Sequence, residues 1–293
     1  MKKKLTIGSA VYDDFDGIYF SMNHLRLQNQ DILNDLDLLI IDNNPTSDHG
    51  KETKHFADTS GIRYIPYTDQ VSTGVRNKIF DFSEAEATLC MDCHVIFEPN
   101  TIKRLIDFYE KNPDTKDLYH GPLLFENMHD VSHYMRPEWW DHNFGAWGGH
   151  RQNITIDSDP FEIPMHGLGM FTCKTNAWLR FNEYFNGFGG EEGYIHQKFL
   201  KAGHKVYNLP FLRWLHRFGR PNGVKYPLTL SNKIRNYLIT RKELGLPLDP
   251  IIKHFKEQKP DYDSSPDLEY VNSLDIPVFL PEKETPVLKD IKI

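Results

Sequence analysis

Ala87-Thr88-Leu89-Cys90-Met91-Asp92-Cys93-His94 carries the reading of the fold: five apolar or β-branched residues run straight into an aspartate, a cysteine and a histidine. A short apolar run of this kind reads as a buried strand. A strand that stops on Asp-x-His delivers two ligand-type side chains from a rigid edge. Alternation along an extended segment puts Asp92 and His94 on the same side. One carboxylate and one imidazole make a partial site for Mn²⁺ or Mg²⁺, with diphosphate oxygens and water filling the remaining positions.

Outward from that strand, the first 125 residues alternate β-branched runs with amphipathic segments, the pattern of a mostly parallel sheet flanked by helices. Strands are expected at Leu5–Val11, Asp37–Asp42, Ile62–Tyr67, Ala87–Asp92 and Leu118–Phe125, and helices near Asp16–Gln28, Ser72–Ser83 and Pro99–Lys111. In open α/β sheets ligands gather at the carboxyl ends of the strands. Those ends carry Tyr12-Asp13-Asp14, Asp42-Asn43-Asn44 and Asp92-Cys93-His94. Residues 127–165 read as a long ordered loop that holds Trp139, Trp140 and Trp147. Further on we expect strands at Gly169–Cys173, Lys205–Leu209 and Phe211–His216, a helix opened by Glu191-Glu192, and a basic helix around Ser231–Leu244. Beyond Lys259 the scattered prolines and acids predict an extended or partly mobile strap.

Composition bounds the function. At 293 residues one α/β domain with an elaborated C-terminal half is expected. Cys90, Cys93 and Cys173 are too few for a secreted disulfide framework, which points to the cytoplasm. The opening Met-Lys-Lys-Lys leads into a strand and not an export signal. No run of about 18 apolar residues offers a membrane span. A net charge of −7 excludes a uniformly basic nucleic-acid binder, yet Gly193 to Lys242 holds eleven Lys or Arg and no carboxylate. Solvated helix faces are one reading of that stretch; a polyanionic partner is the other.

The order of motifs resembles the family-2-like glycosyltransferases of the GT-A (Rossmann-like) fold over roughly residues 5–220. Leu5–Tyr12 is similar to the family's first strand, Leu39–Asn43 to its second with the nucleoside-binding acid, and Gly74-Val75-Arg76-Asn77 to the helix before the metal motif. Asp92-x-His94 stands at the Asp-x-Asp position, Gly189-Gly190-Glu191-Glu192 resembles a Gly-Gly-Glu-Asp segment, and His216 matches the late metal histidine. Taken alone, Gly189-Gly190 is a turn whose glutamates serve a helix dipole, His216 a core histidine, and Cys90-x-x-Cys93 a redox or zinc pair misplaced within a strand. The joint order favours the catalytic readings of the glutamates and His216.

The resemblance implies Asp92, His94 and His216 as metal ligands, and Ala10, Tyr12, Asp42, Asn44, Arg76, Asp92 and Arg217 as donor contacts. Arg213 and Arg220 are further candidates for the diphosphate. Glu192 becomes the general base of an inverting transfer from a UDP-sugar, and Glu191 a hydroxyl ligand. Residues 1–257 would form the transferase domain, with a nucleotide-sugar half to 126 and an acceptor half from 127, and 258–293 an extension.

Phe161–Pro164, Gly187–His196 and Leu209–Phe218 look like phage-type glycosyltransferases associated with modified DNA bases. That implies 5-hydroxymethylcytosine or a related pyrimidine in DNA as acceptor, flipped out or single-stranded. Lys233 and Arg235 would take phosphate contacts, and Trp139, Trp140 and Trp147 stacking. A glycan or protein hydroxyl is the other acceptor class. A nucleotidyltransferase and a non-catalytic sugar-binding module are the competing functions.

Overall fold

Leu5, Ile7, Leu39, Ile40, Ile41 and Leu89 are wholly withdrawn from water, and the strands that carry them form the centre of the larger sheet. In the computed structural model, which describes residues 2–219 and 223–280, the first half builds that centre from parallel pairings. Strand β1 (Lys3–Val11) lies between β2 (Leu36–Asp42) and β4 (Ala85–Asp92), and β3 (Arg63–Pro66) flanks β2. Helix α1 (Phe15–Gln28) returns the chain from β1 to β2, burying Ile18, Met22 and Leu25 at helical spacing. Helix α2 (Asp48–Ser60) returns it from β2 to β3. A 3₁₀ turn at Thr73–Arg76 and α3 (Asn77–Asp81) replace the single helix expected over Ser72–Ser83.

After β4 the chain turns at residues 93–94 into β5 (Val95–Phe97), then α4 (Thr101–Lys111). The strand expected over Leu118–Phe125 is two: β6 (Leu118–His120) joins the large sheet, and β7 (Leu123–Leu124) leaves it for a small one. The small sheet is completed by β8 (Val131–Ser132) and, later, by β14 (Trp214–His216). Residues 127–165 are not a loop. They contain the antiparallel hairpin β9 (Tyr134–Trp140) and β10 (Asn143–Gly149), then β11 (Phe161–Glu162). With β12 (Met170–Lys174) and β13 (Val206–Asn208), the large sheet has the order β11-β13-β6-β12-β4-β1-β2-β3 among the described residues.

Register sets the edge where ligands gather. Ala10 lies opposite both Ile41 and Asp92, and Val11 opposite Asp42, so β1, β2 and β4 end at one level. The small sheet adds its own edge there, because antiparallel pairing of β14 with β5 sets His216 against Val95, next to His94. The strand expected over Phe211–His216 is shorter than read, since Phe211 falls in a turn and only Trp214–His216 pairs.

Helices α5 (Glu191–Lys201), α6 (Leu230–Glu243) and α7 (Asp249–Gln258) pack behind the hairpin, joining Phe144, Tyr194, Tyr237 and Phe255 in one core cluster. The strap expected beyond Lys259 contains a helix, α8 (Ser265–Ser273), and residues 281–293 of that extension lie outside the described residues. Asp267 of α8 is 5% exposed and accepts hydrogen bonds from Ser231 Oγ, Arg235 Nε and Tyr262 Oη. Asp267→Ala leaves those donors unmatched. With a discount for the part-exposed Arg235, it should lower unfolding free energy by about 2 kcal/mol. An unchanged urea midpoint would show that α8 does not dock as described.

Candidate active site

The turn after β4, and not strand alternation, brings Asp92 and His94 together. His94 Nε2 stands 3.1 Å from His216 Nε2, which is 3.3 Å from Asp92 Oδ2. Ligand atoms of all three lie within 4.8 Å of one another. Both imidazoles are about nine-tenths buried. Burial would raise the Asp92 carboxyl, but the hydrogen bond from His216 and the charge of Arg76 hold it well below the usual carboxylate range.

Asp14, to which the sequence assigned no role, orients this set. It caps α1 by accepting from Gly17 N, and its other oxygen accepts from His94 Nδ1 at 2.9 Å. A carboxylate only accepts, so it keeps the proton on Nδ1 and leaves Nε2 bare toward Asp92 and His216. Arg217 Nη2 donates to Asp14 at 2.9 Å. Burial opposes its charge, yet the His94 hydrogen bond and Arg217 hold the Asp14 carboxyl well below its ordinary range. Gly17 has no room for a side chain, because a Cβ there would stand 2.8 Å from Cys93 O.

The two glutamates open α5 as expected, after Gly189 and Gly190 at φ 103° and 93°, a region open to glycine and strained for other residues. Glu191 is fully buried and accepts from Arg76 Nη2 at 3.1 Å. The structure gives Arg76 a role other than the expected phosphate contact: its remaining nitrogens donate to Thr73 O and Leu168 O. Glu191 Oε2 is buried without a partner. Glu192 keeps a partly exposed face. Burial and the charge of Glu191 push its carboxyl up to about 8.

At the end of β2, Asp42 accepts from Tyr64 Oη at 2.7 Å and from Asn44 N at 2.9 Å, and Asn44 Nδ2 donates to Asp13. Ala10 and Tyr12 stay part-exposed at the end of β1. Tyr226, missed in the sequence, sets its ring edge-on to Tyr12 at 5.2 Å with its hydroxyl buried and unpartnered.

The profile of glycosyl transferase family 2 matches residues 7–164, just over half of the chain. The chain belongs to glycosyl transferase family 2. Its fold is similar to that of GalNAc-T7 with UDP, GalNAc and Mn²⁺, at a TM-score of 0.66 and 13% identity, over 94% of this chain and 55% of that one. It is similar also to TarS 1–349 of S. aureus, at 0.52 and 12%, over 90% and 73%. The family 2 chain thus spans about half the length of the GalNAc-T7 structure. No curated protein matches it in sequence.

Within the family 2 fold, the residues expected at the acceptor part company. Trp139 is packing: it stacks on His254 at 3.8 Å and meets Tyr237 and Phe255. Trp140 is 68% exposed on the hairpin. Trp147 alone approaches the metal set, edge-on to Phe218, whose ring lies 4.3 Å from His216. Lys233 donates to Asn143 Oδ1 and lies over Gly189, and Arg235 is paired with Asp267. Arg213 pairs with Glu98, and Arg220 lies outside the described residues. Of the cations between Gly193 and Lys242, Lys198, Lys205, Arg213, Arg217 and Arg235 pair with carboxylates of the chain itself. No helix among the described residues is long and apolar enough to cross a membrane.

If Asp14 fixes the His94 tautomer, Asp14→Asn should weaken Mn²⁺ binding about 10–100-fold. Electron paramagnetic resonance of free Mn²⁺ in the presence of UDP reads this directly. Unchanged affinity would remove Asp14 from the site.

Proposed function

We propose that this family 2 glycosyltransferase moves a sugar from a UDP-sugar to an acceptor hydroxyl, with Mn²⁺ or Mg²⁺ held by Asp92, His94 and His216. The observation that carries the proposal is the convergence of those three side chains at one strand edge, with Glu191 and Glu192 near enough to feel the charge of Asp92. The set fits a divalent ion: one anion and two imidazoles, with Asp14 behind one of them. When bound, the ion would supply Lewis-acid charge to the departing diphosphate. Arg217 Nε, buried without a partner, is a donor available to the same oxygens.

Glu192 removes the proton of the incoming hydroxyl, because it is the one of the two glutamates with a face toward solvent. Glu191, fixed by Arg76, has one oxygen left to accept from a sugar hydroxyl. A single displacement of this kind inverts the anomeric centre. For the acceptor, a glycan or protein hydroxyl is the first reading. A hydroxymethylated pyrimidine in DNA is the second, supported by the likeness of residues 161–164, 187–196 and 209–218.

Glu192→Gln should leave UDP-sugar binding intact and slow turnover about 10²–10⁴-fold. A larger loss from Glu191→Gln, with Glu192→Gln nearly active, would move the base by one residue. Only the carboxylate form accepts a proton, so kcat/KM should rise with pH through about 8 and then level. The limb should vanish in Glu192→Gln. For the acceptor, UDP release should be followed with simple glycans and with hydroxymethylated DNA. Transfer to DNA alone, with binding that weakens steeply as salt rises, would reverse the order of the two readings.

A further inference from the structure

His94 has ligand-type groups on both of its nitrogens, and the set on the Nδ1 side differs in chemistry from the set on the Nε2 side. Cys93 Sγ lies 3.3 Å from His94 Nδ1 and 3.5 Å from Asp14 Oδ2, and those two are 2.9 Å apart. We propose that Asp14, Cys93 and His94 form a second cation site, for a thiophilic divalent ion such as Zn²⁺, which competes with the catalytic set for His94.

The dimensions suit such an ion. With Zn–S of about 2.3 Å and Zn–N or Zn–O of about 2.0–2.2 Å, tetrahedral donors stand about 3.4–3.6 Å apart. The two sulfur edges are already within a few tenths of an ångström of that. The nitrogen–oxygen edge must open by about 0.5 Å. A thiolate and a carboxylate neutralise the ion, and the thiol proton leaves to solvent. Arg217 on the other Asp14 oxygen and the start of α1 both oppose a cation. The two anions outweigh them at contact distance. The thiol is what sets the two apart, since a thiolate favours a soft ion such as Zn²⁺ or Cd²⁺ and the set of Asp92, His94 and His216 offers none. The turn is held in place by Ser21 Oγ, which donates to Cys93 O at 3.2 Å.

Exclusivity follows from one proton. A neutral imidazole has a single lone pair. While Nε2 serves the catalytic set, Nδ1 keeps its hydrogen and donates it to Asp14. For Nδ1 to bind an ion, that hydrogen must move to Nε2, which then faces His216 as a donor. Zn²⁺ thus withdraws His94 from the catalytic cation instead of replacing that cation. The inhibition rests on the proposed transferase reading. Binding at the second site does not.

Cd²⁺ titration of the full chain, followed by thiolate-to-metal charge-transfer absorption, tests the site directly. One equivalent should saturate the band in the unaltered protein and in His216→Ala, and Cys93→Ser should lack it. Cys90 and Cys173 are wholly buried and serve as internal controls. Asp14→Asn keeps the thiol and should weaken Cd²⁺ binding at least 10-fold, which covers the case of a misfolded Cys93→Ser. A band that persists in Cys93→Ser, or disappears in His216→Ala, overturns the proposal. With Mn²⁺ and UDP-sugar present, Cys93→Ser should need at least 10-fold more Zn²⁺ for the same inhibition. Equal sensitivity would overturn the shared use of His94. If transfer is Mn²⁺-dependent while no Cd²⁺ band forms, this site fails and the enzyme reading stands.

Discussion

The buried ion pair of Arg76 and Glu191 is the constraint on which the site hangs. Two charges taken out of water cost several kcal/mol each, and only good geometry with further hydrogen bonds offsets that. Arg76 meets the condition by donating to Glu191, Thr73 O and Leu168 O. Those partners belong to three segments far apart in sequence, so the pair fixes the first turn of α5 against the 3₁₀ turn and the segment leading into β12. Glu192 inherits its place from this clamp. The same clamp sets its chemistry, since the neighbouring Glu191 charge adds to burial in making its carboxyl hold a proton more tightly.

The edge that holds Asp92, His94 and His216 is built on a second constraint, the close approach of α1 to the turn after β4. Gly17 permits it, and Asp14 uses it to reach His94. A helix cap and a histidine tautomer are thereby one structural event. This couples the first βα unit, whose register brings Ala10 and Asp42 to one edge of the sheet, to Asp92, His94 and His216.

What was legible in the sequence was what periodicity and residue type carry. The strands ending at Val11, Asp42 and Asp92 were readable because each carries a short run of apolar, small or β-branched residues that stops on polar ones. Helix α2 was not, because only Gly50, Thr53, Phe56 and Ala57 of its residues are buried, too narrow a stripe to show through a polar segment. The β9–β10 hairpin was missed for a related reason. Pro137 interrupts one strand and three glycines dilute the other, so neither shows alternation. Asp14 could not be assigned a partner, since its contact with His94 spans 80 positions. His216 was readable only through the order of motifs, because β14 is three residues long.

The stretch from Gly193 to Lys242 shows why charge along a chain differs from charge in space. With no carboxylate of its own, it finds partners elsewhere: Glu162 for Lys205, Glu98 for Arg213, Asp14 for Arg217, Asp267 for Arg235. The pair exposed on both sides, Lys205 with Glu162, contributes little stability. Buried ones act on arrangement: Lys198 and Glu243, each about nine-tenths buried, hold α5 to the end of α6, and Lys242 donates to Val271 O and Leu274 O at the end of α8. The cations therefore join α5, β14 and α6 to the acid-bearing parts of the chain. An acid within the segment would offer these cations a nearer partner than the distant ones that close the fold.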